Sequence, residues 1–468
     1  MRDYDVIVIG CGPAGQKAAI KCAKVGKRTA IIDRRQVVGG HCLHIGTIPS
    51  KTLRAAIIQL SGYFEHKLYG GQSPRPIPEV SARDLIQRCH VVIARELDVI
   101  HNQLERNHVT IISGEARFVD EHTVRITENI GSEDYSADSF VIATGSTQYM
   151  HYALPFDNIY VLNTDDILDI QFLPKSLFII GGGIIGLEYA SMLALLGIEV
   201  HVISQYKSLL PFVDRQLMEE LELRMLGHGV EFHMNEELVD VHVKGPRQVT
   251  GRFKNSGEPF ECEMLLYAGQ RWGNTQGLNL PAIGITPGER HNLTVNENYQ
   301  TSVPHIYAAG DVIGFPSLAA TSIDQGRKAA NHLLGLEDVP YQPLFPYGIY
   351  TFPDMSMIGA SEEQLKKDGT PYITGIGFYR DTARAQMVGD LAGICKLLFA
   401  PDDRRLLGVH IIGYEATELI HVGQAVMVHR GRLDYFLDTV FNYPTMTEVY
   451  KLAALNGINK CAVAYPHS

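Results

Sequence analysis

A chain of 468 residues is long enough for about three domains, and 45% hydrophobic with 20% charged residues is a globular balance that excludes disorder and coiled coil. Forty-one Lys and Arg against 52 Asp and Glu leave a net charge of −11, which counts against nucleic acid or an anionic membrane as partner, since each needs a concentrated cationic face. The seven cysteines (Cys11, Cys22, Cys42, Cys89, Cys262, Cys395 and Cys461) are odd in number, scattered and without a C-x-x-C pair, so neither a secreted disulfide framework nor a zinc ribbon is expected.

The first element is YDVIVI from Tyr4, an apolar strand with no basic, apolar leader ahead of it, so a cytoplasmic location is expected. It runs into GCGPAG (Gly10 to Gly15), a helical stretch to Val25, and a second strand, RTAIID, ending at Asp33. This is the order a dinucleotide fold requires. Gly10 permits the tight turn, Gly12 lets backbone approach a pyrophosphate, Gly15 allows close helix–strand packing, and Asp33 can accept from ribose hydroxyls. A long helix is predicted from Ser81 to Asn107, with a packing stripe at mixed three and four spacing. HVTIISGEARFVDEHTVRIT then alternates like antiparallel strands, and FVIATGS (Phe140 to Ser146) reads as a strand ending in a glycine turn.

The most apolar stretch, Ser176 to Val200, carries three consecutive glycines and Glu188. It fits strand–turn–helix and not a membrane span. Gly181, Gly183 and Gly186 repeat the fingerprint, and the following strand ends at Ser204 where an acid would repel a ribose 2′-phosphate. A neutral Ser204 suits a site open to both NAD and NADP; the alternative is that another residue supplies the discrimination. EMLLYAGQRWGNT offers a strand-to-turn exit near Arg271, and HIYAAGDVIG puts Asp311 after a short strand. From about Pro346 no fingerprint appears. KLLFAPDDRRLLGVHIIG reads as a hairpin with a solvated turn at PDDRRL, in a separate α+β unit. His41, Cys42 and His44 fit no standard zinc spacing, so no metal site is expected. A lone Cys42 reads more simply as a packed, inert thiol, as does Cys11.

YDVIVIGCGPAGQKAA, VGGHCLHIGTIPSK, FVIATGS, IIGGGIIGLEYAS, HIYAAGDVIG and FNYPTMTEVYKLAALNGIN, taken in this order, resemble the flavin-dependent pyridine nucleotide–disulfide oxidoreductases over nearly the whole chain. The resemblance implies an α/β fold class: two Rossmann-like dinucleotide-binding domains, for FAD and NAD(P), plus a C-terminal α+β dimerisation domain. The implied boundaries are 1–150 for the FAD-binding domain, 151–272 for the NAD(P)-binding domain, 273–344 for a central segment completing the FAD domain, and 345–468 for dimerisation. It implies FAD as cofactor, NAD and NADP as substrates, and a homodimer, with a higher oligomer left open.

The residues implied at the cofactors begin with Gly10, Gly12, Pro13, Ala14, Gly15, Asp33 and Arg34. They continue through Gly39, Gly40, His41, Cys42, Thr47 and Lys51 to Ala116, Thr144 and Gly145. From the second fingerprint onward they are Gly181, Gly183, Ile184, Ile185, Gly186, Glu188, Ser204, Gly269 and Arg271. Gly310, Asp311, Leu318 and Ala319 complete the set, with Asp311 at the ribityl–phosphate region of FAD. The catalytic candidates are Lys51 at the reactive edge of the flavin, Glu188 paired with it, and Tyr443 and Glu448, which would reach a partner's flavin.

The departures from the family pattern are informative. Disulfide reductases of this family carry two cysteines five positions apart; here Cys42 fills the first position and Thr47 the second. A hydroxyl can neither form a disulfide nor match a thiolate as nucleophile. The family's histidine–glutamate pair has become Tyr443 with Glu448 retained, and a phenol is a poor base beside an imidazole at neutral pH. Both changes remove the dithiol half-reaction. The activity then implied is hydride transfer between NADPH and NAD through FAD, ping-pong, at one shared nicotinamide site. The same motifs would also serve an NAD(P)H-dependent flavoprotein that uses a quinone or oxygen as acceptor, or a non-catalytic flavin-binding component.

Overall fold

The computed structural model describes residues 2–62, 80–128, 131–151, 153–336 and 344–464. The strand Tyr4–Ile9 is apolar along its length because both faces are covered: Val6, Ile7 and Val8 are fully buried. Such two-sided burial belongs to a parallel sheet flanked by helices. It pairs in parallel with Thr29–Asp33 on one side and Gly131–Ile142 on the other. Ile306–Ala308, far along the chain, joins the same sheet beside Gly131–Ile142. The helix Ala319–Leu333 lies against the fingerprint helix Pro13–Lys24 so closely that a Cβ on Gly326 would stand 2.0 Å from the Ala14 carbonyl oxygen.

The long helix runs over Ala82–Glu105, started by a capping box between Ser81 and Asp84. One expectation needs correction here. Thr110–Ser113, read from its alternation as antiparallel, pairs in parallel with Thr29–Asp33. Alternation reports which faces are buried, whereas direction is set by the connection, and the long helix carries the chain back to start a parallel strand. The next three strands, Glu115–Asp120, Thr123–Glu128 and Gly131–Ile142, are antiparallel.

The second nucleotide fold is an all-parallel sheet in the order Val230–Met234, Glu199–Ser204, Ser176–Ile180, Met264–Tyr267, Val161–Asn163. An antiparallel three-stranded layer (Leu238–Gly245, Gln248–Phe253, Pro259–Cys262) covers one face through Phe178, Phe253 and Phe260. The C-terminal unit is a five-stranded antiparallel sheet that includes the expected hairpin, Ile394–Phe399 with Leu406–Ile412. The helices Ala416–Val428 and Glu448–Ala464 accompany it, around a core of Tyr379, Phe399, Phe436 and Tyr450. Within that hairpin Lys396 is buried, its ammonium 2.9 Å from Asp214 of the second nucleotide fold and 2.5 Å from Glu362. Among the described residues no helix is long and apolar enough to cross a membrane.

Candidate active site

The two fingerprints build the same local geometry. Gly10 holds φ +106° with its missing Cβ 2.3 Å from the Ala143 carbonyl oxygen, and Gly181 holds φ +125° with its own 2.4 Å from that of Ala268. In both turns the third glycine presses on the first: a Cβ on Gly15 or Gly186 would stand 1.9 Å from the Gly10 or Gly181 carbonyl oxygen. At Gly12 and Gly183 a Cβ would meet nothing within 4 Å, so backbone there faces open space. Neither following helix has a side-chain cap, which leaves its first N–H groups to an anion.

A cleft of about 520 Å³ opens over the first turn. Of the expected residues, Gly10, Gly12, Pro13, Ala14, Asp33, Arg34, Gly40, His41, Cys42 and Thr47 line it. So do Ala116, Thr144, Gly145, Gly310, Asp311 and Ala319. Gly15 and Gly39 act from behind, through packing on Gly10 and on Leu43. Gly40 sets its backbone on that of Gly12, with a Cβ there only 2.7 Å from the Gly12 Cα, and so brings the short helix Gly40–His44, with His41 and Cys42, to the cleft. Asp33 is held at its edge by the N–H groups of Cys11 (2.8 Å) and Arg35 (3.0 Å). Leu318 precedes the helix that starts at Ala319, and its carbonyl accepts from the Thr321 hydroxyl. Thr144 Oγ1 is buried in the cleft wall without a partner among the described residues. An uncapped helix N-terminus, an open backbone at Gly12 and an orphaned hydroxyl together fit a large phosphate-bearing group such as FAD.

Two further expected residues meet between the folds. Lys51, on the helix Thr47–Ser61, places its ammonium 2.5 Å from Glu188 Oε2 on the helix Ile184–Ala194. The other Glu188 oxygen accepts the Tyr350 N–H at 2.9 Å, and the Lys51 ammonium lies 4.8 Å from the centre of the Tyr350 ring. Tyr350 was not legible in the sequence, because its contribution is a backbone N–H and a ring face in a segment without a motif.

Cys42 has the Thr47 hydroxyl as its neighbour, and burial pushes its thiol up from the ordinary range. All seven cysteines are free thiols. Burial and, after it, the Arg271 guanidinium hold His41 well below the usual imidazole range. Arg271 itself is engaged: it donates to Asp165 (3.0 Å), to the Ser146 hydroxyl (3.0 Å) and to the Ser146 carbonyl (2.9 Å). The Ser146 hydroxyl in turn donates to Asp311 at 3.1 Å. Arg271 thus ties the second fold to the floor of the cleft. Asp165 had no sequence signal, while Ser146 closes the FVIATGS motif.

On the second fold Ser204 is buried at the end of its strand, directly under the glycine turn, with its hydroxyl accepting the Tyr206 N–H at 3.2 Å. Ile184 and Ile185 open the helix beside it, both half-buried, and Gly269 leaves space that the Tyr267 ring fills. Tyr443 and Glu448 are not brought to Lys51 within the chain. Tyr443 is 73% exposed, and Glu448 starts the last helix with Oε2 buried and unpaired among the described residues.

The chain belongs to the pyridine nucleotide–disulphide oxidoreductases: the model of that family matches residues 4–326, and the model of its dimerisation domain matches 345–454. The family is FAD-dependent and uses pyridine nucleotides. Among relatives, the chain is 44% identical over 462 residues to the soluble pyridine nucleotide transhydrogenase of Mycobacterium bovis (98% of each chain). It is 40% identical over 467 residues to that of Chromohalobacter salexigens (98% of this chain, 99% of the other). Among solved structures, LpdA from Mycobacterium tuberculosis superposes with a TM-score of 0.89 at 26% identity, covering 96% of this chain and 99% of that one. A Cu(II) complex of the HOCl-induced flavoprotein disulfide reductase RclA from Escherichia coli gives 0.87 at 25% identity, covering 97% and 99%.

Proposed function

We propose that this chain transfers hydride between NADPH and NAD by way of FAD, with the two nucleotides taking turns at one nicotinamide site and without a redox disulfide. The observation that carries this reading is the Thr47 hydroxyl beside Cys42 where a second sulfur would be needed, together with relatives named for transhydrogenation at 40–44% identity. Bound FAD supplies the hydride acceptor and donor. The protein's residues position and enclose. Gly10, Gly12, Gly15 and Asp33 hold the ADP half of FAD, and Asp311, fixed by Ser146, holds its ribityl–phosphate region. Gly181, Gly183 and Gly186 hold the pyridine nucleotide. The Lys51 ammonium provides positive charge at the reactive edge, and Glu188 fixes where that charge sits.

One nicotinamide site cannot hold two nucleotides at once, so the first must leave before the second enters. Neutral Ser204 removes the repulsion that an acid would offer a 2′-phosphate. Two chains pair through the C-terminal unit, where exposed Tyr443 and half-buried Glu448 would face the partner's flavin. We place the FAD domain at 1–150 with 273–344, the NAD(P) domain at 151–272 and the dimerisation domain at 345–468, the last four residues being outside the described set. A cytoplasmic setting suits these substrates. Initial velocities measured with NADPH against a thio-analogue of NAD give parallel reciprocal lines on this reading. Intersecting lines would require a ternary complex and would overturn it.

A further inference from the structure

We propose that His201, His233 and Glu231 form a zinc site at the edge of the second nucleotide fold. His201 lies opposite Glu231 across two parallel strands, and His233 is two residues beyond Glu231. A period of two puts all three side chains on one face. His201 Nδ1 is 3.0 Å from His233 Nε2 and 3.4 Å from Glu231 Oε2, and the three ligand atoms lie within 4.8 Å of one another.

The surroundings prepare these atoms as ligands. Glu199 Oε1 lies 3.1 Å from His201 Nε2. With the proton on Nε2, donated to that carboxylate, Nδ1 presents its lone pair to the cluster; a carboxylate behind a histidine ligand commonly fixes a metal-binding ring in this way. Each ring is also held flat against an aromatic, His201 on Phe178 at 4.3 Å and His233 on Phe253 at 4.6 Å. The carboxylates of Glu231 and Glu199 are 64% and 66% exposed, which opens a path from solvent.

Two imidazole nitrogens on one tetrahedral zinc, each at about 2.0–2.1 Å, stand roughly 3.3 Å apart. The 3.0 Å separation here needs only a few tenths of an ångström of adjustment. Two imidazoles, one carboxylate and an open fourth position make a donor set for zinc and not for magnesium or calcium, which take oxygen. The metal would clip the edge strand Val230–Met234 to Glu199–Ser204, three residues before Ser204.

The test uses the full-length, FAD-loaded protein, stripped with EDTA and titrated with zinc chloride against a chromophoric chelator. One zinc per chain is expected. His233→Phe keeps a ring on Phe253 and Glu231→Gln alters an exposed side chain; each should weaken zinc binding by at least tenfold. Glu199→Gln should weaken it by about 10–100-fold, and Cys42→Ser should leave it unchanged. Circular dichroism reports that each variant is folded, and unaltered flavin content is expected of the His233, Glu231 and Glu199 variants. No stoichiometric zinc, zinc binding that survives both His233→Phe and Glu231→Gln, or loss in Cys42→Ser would each overturn the proposal.

Discussion

The Lys51 ammonium and the Glu188 carboxylate, 137 positions apart in sequence, meet at 2.5 Å where the two nucleotide folds touch. Glu188 is the more buried partner, with 7% of its side chain exposed against 27% for Lys51, and it also accepts the Tyr350 N–H. Replacing the carboxylate by an amide therefore leaves one acceptor oxygen for two donors and sets an N–H against the other. Glu188→Gln should retain FAD, lose about 1–3 kcal/mol of stability, and slow bleaching of the flavin by NADPH at least tenfold. Anaerobic stopped-flow absorbance reads the rate and denaturant unfolding reads the stability. An unchanged bleaching rate would remove Glu188 from the catalytic set.

The two fingerprint turns are alike in geometry but serve different ligands on our reading, so the same substitution should separate them. A Cβ at Gly186 would stand 1.9 Å from the Gly181 carbonyl oxygen and force that turn open. Gly186→Ala should keep its yellow colour and lose nucleotide-dependent reduction, at a cost of about 1–3 kcal/mol in stability. Gly15→Ala, with the same clash against Gly10, should instead purify with little flavin. Flavin absorbance of the purified variants and their NADPH titrations distinguish the two outcomes. Flavin loss in Gly186→Ala would exchange or merge the assignments.

Both fingerprints, the Asp33 strand end and the C-terminal hairpin were legible in the sequence because glycine spacing and apolar runs are local signals. Strand direction at Thr110–Ser113 was not, since alternation carries no sense of direction. The buried Lys396, held by Asp214 and Glu362, lay hidden in a segment read as an ordinary hairpin; its partners are 182 and 34 positions away. Tyr350 and Asp165 were missed for the same reason, as residues that matter through a contact and not through a motif. His201, Glu231 and His233 match no metal-ligand spacing, and only the parallel register of two strands brings them together.

At the cysteine position the expected chemistry follows from the lone sulfur. Burial raises the Cys42 pKa, so the thiolate fraction is small at neutral pH and grows as pH rises. Alkylation of Cys42 by iodoacetamide should be slow at pH 7 and accelerate by up to about tenfold per unit towards pH 9, as peptide mass mapping would show. The wild-type protein should take up two electrons per flavin from NADPH. Thr47→Cys places a second thiol beside Cys42 and should raise this to four in the oxidised variant. A wild-type protein that already takes up four electrons would contradict the absence of a disulfide.

His41 provides the pH test. Burial, then the Arg271 guanidinium, lowers its pKa in the folded chain to about 4, below the roughly 6.5 expected when unfolded. As pH falls below that unfolded value, the unfolded chain binds a proton that the folded chain refuses, so the contribution of His41 becomes destabilising on the way down to the folded value. Above the unfolded value the ring is neutral in both states and the effect vanishes. His410 is lowered in the same direction by burial, and other groups titrate across this range, so the informative quantity is a difference between variants. Relative to His41→Asn, the wild type should lose about 1 kcal/mol of stability between pH 7 and pH 5, read from urea midpoints at each pH. Equal slopes for the two proteins would mean that His41 takes up its proton in the folded state as readily as in the unfolded one, leaving Arg271 with no electrostatic grip on the histidine beside Cys42.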